Sequence, residues 1–357
     1  MDTFRLTMLP AGDGDCLILT WGDGDRRRHA VIDGGRAGAH PHLHRHLAGI
    51  AEKGEELELY VLTHIDADHI EGALALLESR NRPLVPKRIW FNGFRQIRQR
   101  DARSMRQGDE YSKALDKLGW TLNEGFERGV VSIETAPQSI DVAGLRVIML
   151  SPDAARLAAL GERWDEWRRE EEQRKREEAE GRDGTRGRRR ERPPVPNPLI
   201  IEDLVADGET DRELPNGSSI AFVAEWRGRR VLLAGDAHPE LLAASLAELA
   251  ARDDGRYRLD LLKAPHHGSA KNMSRELINL LDCRHLAIST NGKIHGHPDP
   301  HAIARFIHFG TSGHKHLHFN YRTDRTLPWD AEEVKGRHDY EVHFPTEVEG
   351  ELEIEIS

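Results

Sequence analysis

Cysteine is scarce in this chain. Cys16 and Cys283 are the only two in 357 residues, too few for a disulfide framework and in keeping with a reducing compartment. Long apolar runs are missing as well: none approaches the roughly 20 residues that a membrane-spanning helix needs. Asp2 and Arg5 interrupt the N-terminus too early for a signal-peptide pattern. The expectation is a soluble, cytoplasmic protein with no membrane partner. The chain also lacks an excess of positive charge. Its formal net charge is −10, which argues against a globally basic nucleic-acid binder but leaves room for a local positive groove. Hydrophobic content is slightly low at 38%, and charged content is high at 31%. One very polar segment accounts for both figures without loss of a core.

That segment is 165–192. Of its 28 positions 21 are charged, 11 basic and 10 acidic. "DEWRREEEQRKREEAE" favours an exposed helix with i,i+4 pairs of opposite charge, and "GRDGTRGRRRERPPVPNP" reads as an extended link. The plain reading is a solvated insertion spanning 158–200. The sharper one uses the arginines from Arg182 to Arg192 as an arm for a phosphate backbone or a protein partner.

Elsewhere the pattern is mixed α/β. "FRLTML", "CLILTW" and "HAVID" are short apolar strands joined by the glycine and aspartate turns "PAGDGD" and "GDGDRRR". Residues 40–53 suit a helix, whose His40, His42, His44 and His46 read as solvated. "LELYVLT" (57–63) is a buried strand, and Ile70 to Leu77 has helical spacing. "RIWF", "LRVIML", "PLIIEDLV", "SSIAFVAEW", "RRVLLAGD", "LDLLKAPHHGS" and "HLAISTNG" read as further strands. Helices fit at 238–252, 273–281 and 299–308. The tail "EVHFPTEVEGELEIEIS" alternates apolar and acidic residues and suits an edge hairpin or a solvated strand. The chain is read as one domain over 1–357, with 311–357 as a C-terminal extension of edge strands.

"LTHIDADHIEGAL" (62–74) sets His64, Asp66, Asp68 and His69 on a loop between a strand and a helix. A loop can turn successive side chains inward, which a regular strand or helix forbids. Imidazole nitrogen and carboxylate oxygen suit zinc, manganese or iron. Further donors stand at other strand ends: Asp236 in "VLLAGDAH", and His266 and His267 in "KAPHHGS". Each alone has a plainer reading; Asp236 could cap the helix that follows, and a His-His pair in a loop is more often surface. Three such features at the ends of three apolar strands point to one metal centre.

"HIDADH" resembles the H-x-H-x-D-H signature of the metallo-β-lactamase fold superfamily. The wider set resembles the soluble domain of the bacterial competence protein ComEC and its stand-alone relatives: "MLPAGDGDCLIL", "VIDGG", "LTHIDADHIEGAL", "NGSSIAFV", "VLLAGDAH", "KAPHHGS" and "STNGKIHGHP". The resemblance implies a four-layer αββα sandwich with one or two divalent ions, zinc or manganese, at one edge. Carried over by position, His64 and Asp66 lean toward one ion, Asp68 and His69 hold the other, and Asp236 bridges. His266 or His267 adds a donor, with His267 favoured. Two departures stand out. Asp66 replaces the histidine of most members, as in ComEC-like proteins. The superfamily also carries a histidine before the bridging aspartate, and 140–155 offers none; Ser151 and Pro152 sit near the expected place. The His64/Asp66 site is thus one ligand short.

Such a centre activates water, with Asp68 orienting it or taking its proton. No Ser–His–Asp order or P-loop competes, because "GDGD" has the wrong glycine spacing and its acids would repel phosphate. Asp15 and Asp33 are candidates to support ligands from behind. The "GHP" loop is a hallmark of ComEC-like proteins, which makes His297 a candidate general acid; capping of the next helix is the plainer reading. Lys293, His295, Ser269, Lys271 and Asn272 are candidate phosphate contacts. The resemblance favours a phosphodiesterase or nuclease on DNA or nucleotides. The rivals are a hydrolase of a small ester, lactone or thioester, and a partner-gated module of a defence or DNA-uptake system.

Overall fold

The computed structural model describes residues 2–24, 26–93, 96–97, 110–163, 193–253, 255–347 and 350–356. The charged segment 165–192, and the partner arm expected there, lie outside these residues.

Alternation along each strand builds the layers. In β3 (Arg26–Ile32), Ala30 and Ile32 face one buried cluster while Val31 faces another. In β9 (Arg229–Leu233), Val231 and Leu233 face the first cluster and Leu232 faces a third. A half-buried sheet would show apolar residues on one side only, so both sheets here are covered on two faces.

The first sheet has the order β16 (Leu352–Glu355), β1 (Asp2–Met8), β2 (Leu17–Asp23), β3, β4 (Glu56–Val61), β5 (Arg88–Trp90). The second runs β15 (Tyr340–His343), β14 (Lys315–Phe319), β13 (His285–Ile288), β11 (Leu261–Lys263), β9, β8 (Ala221–Trp226), β7 (Leu145–Ser151), β6 (Ile140–Val142). Phe4, Leu6, Leu19 and Trp21 of the first sheet meet Val147, Phe222 and Leu233 of the second. Outside the first sheet lie α1 (His40–Glu52), α2 (Ala67–Glu78) and α3 (Glu110–Leu118), through Leu43, Leu47, Leu76, Leu77 and Leu115. Outside the second lie α4 (Pro239–Ala250), α5 (Arg275–Asn279) and α6 (Pro300–Phe309), through Leu242, Leu246, Leu277, Ile303 and Phe306. This is the expected αββα four-layer sandwich. A two-residue pair, β10 (Tyr257–Arg258) with β12 (Leu281–Asp282), and helix α7 (Glu332–His338) complete the named elements.

Two expectations are corrected. "PLIIEDLV" is not a strand: Ile201–Leu204 forms a short 3-10 turn, whose Ile201 and Leu204 share a buried cluster with α6. Spacing of i,i+3 serves that turn as well as alternation serves a strand. The tail forms no hairpin, because β15 borders the second sheet and β16 pairs with β1 of the first. No helix among the described residues is long and apolar enough to cross a membrane.

Strands β3 and β4 are parallel, as are β9, β11 and β13. Their C-terminal ends feed the loops that carry "VIDGG", "HIDADH", "GDAH", "HHGS" and "STNGKIHGHP", the sites where open α/β sheets place ligands. Two glycines let these loops close up. A Cβ on Gly14 would stand 1.7 Å from the Asp68 carbonyl oxygen, and one on Gly72 would stand 2.0 Å from that of Gly34. Any larger residue there would push the start of α2 off the loops beside it.

Candidate metal centre

The loop after β4 delivers His64 at the strand's end and turns into α2 at Ala67, with Asp66 as its N-cap residue. Asp68 and His69 therefore sit in the first turn of α2, buried. Asp236 follows β9 and is buried; His238, not Asp236, is the N-cap residue of α4. That disposes of the plainer reading of Asp236. His266 and His267 follow β11 in a tight turn, both with left-handed backbone, φ 46° and 54°. Asp33 shares this conformation at φ 61°. Non-glycine residues rarely adopt it, and it is enriched where function fixes the chain.

The side chains converge. His69 Nε2 lies 3.2 Å from His267 Nε2, 3.5 Å from Asp236 Oδ1 and 4.0 Å from Asp68 Oδ2. His267 Nε2 is 3.4 Å from Asp68 Oδ2 and 3.7 Å from Asp236 Oδ1. Four ligands about 2.0–2.1 Å from a tetrahedral ion are roughly 3.3–3.4 Å apart, so these separations suit a divalent cation. On the other side, His64 Nε2 lies 3.6 Å from Asp66 Oδ2 and 3.7 Å from Asp236 Oδ2, and His266 Nε2 is also 3.7 Å from Asp236 Oδ2. Asp236 thus presents one oxygen to each group. His64 Nε2 and Asp236 Oδ1 are buried without a hydrogen-bond partner, an arrangement that costs free energy unless something satisfies it.

Each converging ring is fixed from behind. His69 Nδ1 donates to Asp33 Oδ2 at 2.7 Å, and Asp33 also accepts from the Thr63 backbone N–H at 2.7 Å. His267 Nδ1 donates to the Ser289 carbonyl at 3.1 Å, with Asp15 Oδ1 at 3.4 Å. His266 Nδ1 lies 3.1 Å from Asp211 Oδ2. A carboxylate behind an imidazole sets its tautomer and aims the other nitrogen at a metal. Asp15 and Asp33 were anticipated in the sequence. Asp211 was not: it lies in the polar stretch "GETDREL", where no periodicity or motif marks it.

Electrostatics report a site that demands positive charge. Burial alone would lower the histidine pKa values, but the carboxylates outweigh it. Asp236, Asp33 and Asp68 lift His69 well above the ordinary range, and Asp236 and Asp15 raise His267 to about 10. Burial would raise Asp68 and Asp236; His69 foremost holds Asp68 far down, and His266 foremost does so for Asp236. Without an ion, protons on the rings balance these acids, the role a divalent cation would take over.

The remaining expected residues are placed unevenly. His297 is buried, its ring centroid 5.1 Å from that of His266 and its Nδ1 3.5 Å from Asp299 Oδ2. His295 Nε2 lies 3.5 Å from Asp13 Oδ2, and Asp13, Asp68 and His295 offer ligand atoms within 4.8 Å of one another. Lys293 is exposed on the same loop. Lys271 is exposed, 3.8 Å from Glu209. Ser269 is buried, and its Oγ accepts from the Lys271 N–H. Asn272 corrects an expectation. It is fully buried, and its Nδ2 donates to Asp211 Oδ2, with the Asp236 and Ala237 carbonyls at 3.3 Å. It braces His266 and the Asp236 loop from below and faces no open surface.

No family model matches the chain, and no curated protein matches it. Solved structures do resemble it. The metallo-β-lactamase fold protein YhfI from Bacillus subtilis is 12% identical over 99% of this chain and 100% of its own, at a TM-score of 0.41. A metallo-β-lactamase with the HARLDQ motif from Cronobacter sakazakii is 12% identical over 72% and 76%, at 0.30. The metallo-β-lactamase MIM-1 from Novosphingobium pentaromativorans is 14% identical over 85% and 88%, at 0.29. All three scores lie below 0.5, so the site's chemistry stands on this chain's own residues.

Proposed function

We propose that this protein is a metal-dependent hydrolase, cytoplasmic, and that its substrate is a phosphodiester of DNA or a nucleotide. One observation carries the hydrolase reading: three imidazoles, each backed by a buried carboxylate, are aimed with His64 at the two oxygens of Asp236, and Asp68 Oδ2 stands against two of them. Asp68, His69, His267 and Asp236 would hold one divalent ion, zinc or manganese. His64, Asp66, His266 and Asp236 would hold the other, with His266 in place of the histidine that 140–155 lacks. Bound there, the ions supply Lewis acidity and lower the pKa of water toward neutrality.

The chain's own groups then divide the work. Asp68 is the carboxylate to orient water and take its proton, since its Oδ2 faces the centre beside His69 and His267. His297 is the general acid for the leaving oxygen. Lys293 supplies positive charge, and His295 a ring N–H, to a phosphate on the loop above the centre. The phosphodiester assignment is supported by that loop and by the ComEC-like motifs. The arginines from Arg182 to Arg192 are the candidate arm for a longer polynucleotide or a protein partner.

The test is hydrolysis of bis-p-nitrophenyl phosphate, then of single- and double-stranded DNA, by protein loaded with zinc or manganese. Turnover is expected, and loss of at least a hundredfold in Asp68→Ala and His69→Ala at unchanged fold. Cleavage of lactones or thioesters but no phosphodiester would overturn the substrate. Absence of both bound metal and hydrolysis would leave a partner-gated module.

A further inference from the structure

A second group of histidines stands apart from this centre. His316 and His318 alternate in β14, so their side chains share one face, and His314 stands just before the strand in "HKHLH". Leu317 and Phe319 take the opposite face, packed under the helices. In the parallel register His316 lies opposite His285 of β13 and Glu341 of β15, and His318 lies opposite His343. The rings form a ladder: His285 stacks on His316 at 4.1 Å and 5°, and His318 on His343 at 4.5 Å and 15°.

Four side chains at the outer edge of the ladder point at one another. Glu341 Oε1 is 2.7 Å from His316 Nδ1 and 3.1 Å from His343 Nε2, and those nitrogens are 3.2 Å apart. Glu341 Oε2 is 4.0 Å from His314 Nε2. Hydrogen bonds serve this arrangement poorly. If both nitrogens donate to the one oxygen, two N–H groups are forced together; if one donates to the other, only one proton is left for the carboxylate. A cation satisfies the inward-facing atoms, and their separations of 2.7 to 4.0 Å bracket the roughly 3.3 Å expected between ligands of a tetrahedral site, while His314 Nδ1 is held from behind by Asp339 Oδ1 at 2.7 Å. All four side chains are partly open to solvent, so an ion has a path in.

We propose that His314, His316, His343 and Glu341 form a second metal site for a late first-row divalent ion such as zinc, copper(II) or nickel. Three imidazoles and one carboxylate prefer these ions to calcium or magnesium, which take oxygen ligands. His285 and His318 stack behind these ligands, His285 on His316 and His318 on His343, and form the inner wall of the site. The site lies at the N-terminal end of β13, whereas Ser289, which accepts from His267, follows its C-terminal end. Four residues of strand span roughly 13 Å, so the two sites share no ligand. The ion would tie the edge strand β15 to β14.

The inference does not rest on the hydrolase reading, because its test counts metal and not turnover. Full-length protein is equilibrated with buffered Zn²⁺, and its metal content is measured beside His316→Gln/His343→Gln and Glu341→Gln. The variants are expected to carry one zinc fewer per chain, with circular dichroism unchanged. With Cu²⁺ as probe, electron paramagnetic resonance is expected to show couplings to imidazole nitrogens that disappear in the double variant and persist in His69→Ala/Asp236→Ala. Glu341→Gln keeps side-chain shape and guards against a folding defect in the double variant. Equal zinc content in the wild type and Glu341→Gln, or copper couplings that survive in a folded double variant, would overturn the site and leave a hydrogen-bonded ladder.

Discussion

Asp236→Ala is expected to lower phosphodiester turnover by about a thousandfold or more and to empty both halves of the centre of metal. A thousandfold corresponds to about 4 kcal/mol of barrier, within reach of a group that organises two cations. Among the described residues, Asp236 faces every converging imidazole: His69 and His267 through Oδ1, His64 and His266 through Oδ2. Its position is fixed, since its backbone N–H donates to Ser219 Oγ at 2.9 Å. Without it, four rings face one another with no carboxylate between them, and the two halves lose the one ligand they share. Turnover of bis-p-nitrophenyl phosphate and metal content per chain are the measurements. A folded Asp236→Ala protein that retains a tenth of wild-type activity would show that the carboxylate does not bridge.

Lys263→Met is expected to cost about 3–5 kcal/mol of stability, the range for breaking one side of a buried ion pair. Lys263 Nζ lies 2.9 Å from Asp15 Oδ2 with both side chains inaccessible to solvent, and it also donates to the Ala264 carbonyl at 3.0 Å. Burial would raise the Asp15 pKa, but Lys263 first and His267 next pull it far below the carboxylate range. A depressed carboxylate adds stability above its unfolded pKa, near 4, and that stability fades as pH falls toward the folded value. The wild type should therefore lose part of its margin over the variant below about pH 4. Urea unfolding at pH 7 and at pH 3.5 reads both effects. A deficit under about 1 kcal/mol at neutral pH would contradict the buried pair. Asp15→Leu in the Lys263→Met background should recover part of the loss, because it removes the stranded anion.

Much of the centre was legible because its donors sit at the ends of apolar strands. His64, Asp68, His69, Asp236 and the His266–His267 pair are each announced by a short hydrophobic run followed by polar residues, and the three runs end in loops at one edge of the two packed sheets. The division of labour within "HHGS" was not legible. Successive left-handed residues send His266 and His267 to opposite oxygens of Asp236, and backbone dihedrals of that kind leave no trace in residue type. Asp211 escaped for a related reason: its role is a contact with His266, 55 positions away, and nothing local marks it. Alternation marked the strands, as in β3, while the four layers were implied by the resemblance. "PLIIEDLV" was misread, and the tail's edge strands were expected but not their split between two sheets, because a short apolar pattern states that a segment is buried, but not against what. The alternation of histidines in "HKHLH" carries no meaning by itself. Its partners on β13 and β15 become neighbours only through the parallel register.

The central claim is that loops from both sheets enclose paired cations around Asp236. Crystals grown with zinc or manganese and measured on both sides of the metal's absorption edge test it most directly. The account predicts two anomalous peaks flanking Asp236, one ligated by Asp68, His69 and His267, the other by His64, Asp66 and His266. Strong metal peaks elsewhere on the chain with none beside Asp236 would contradict it.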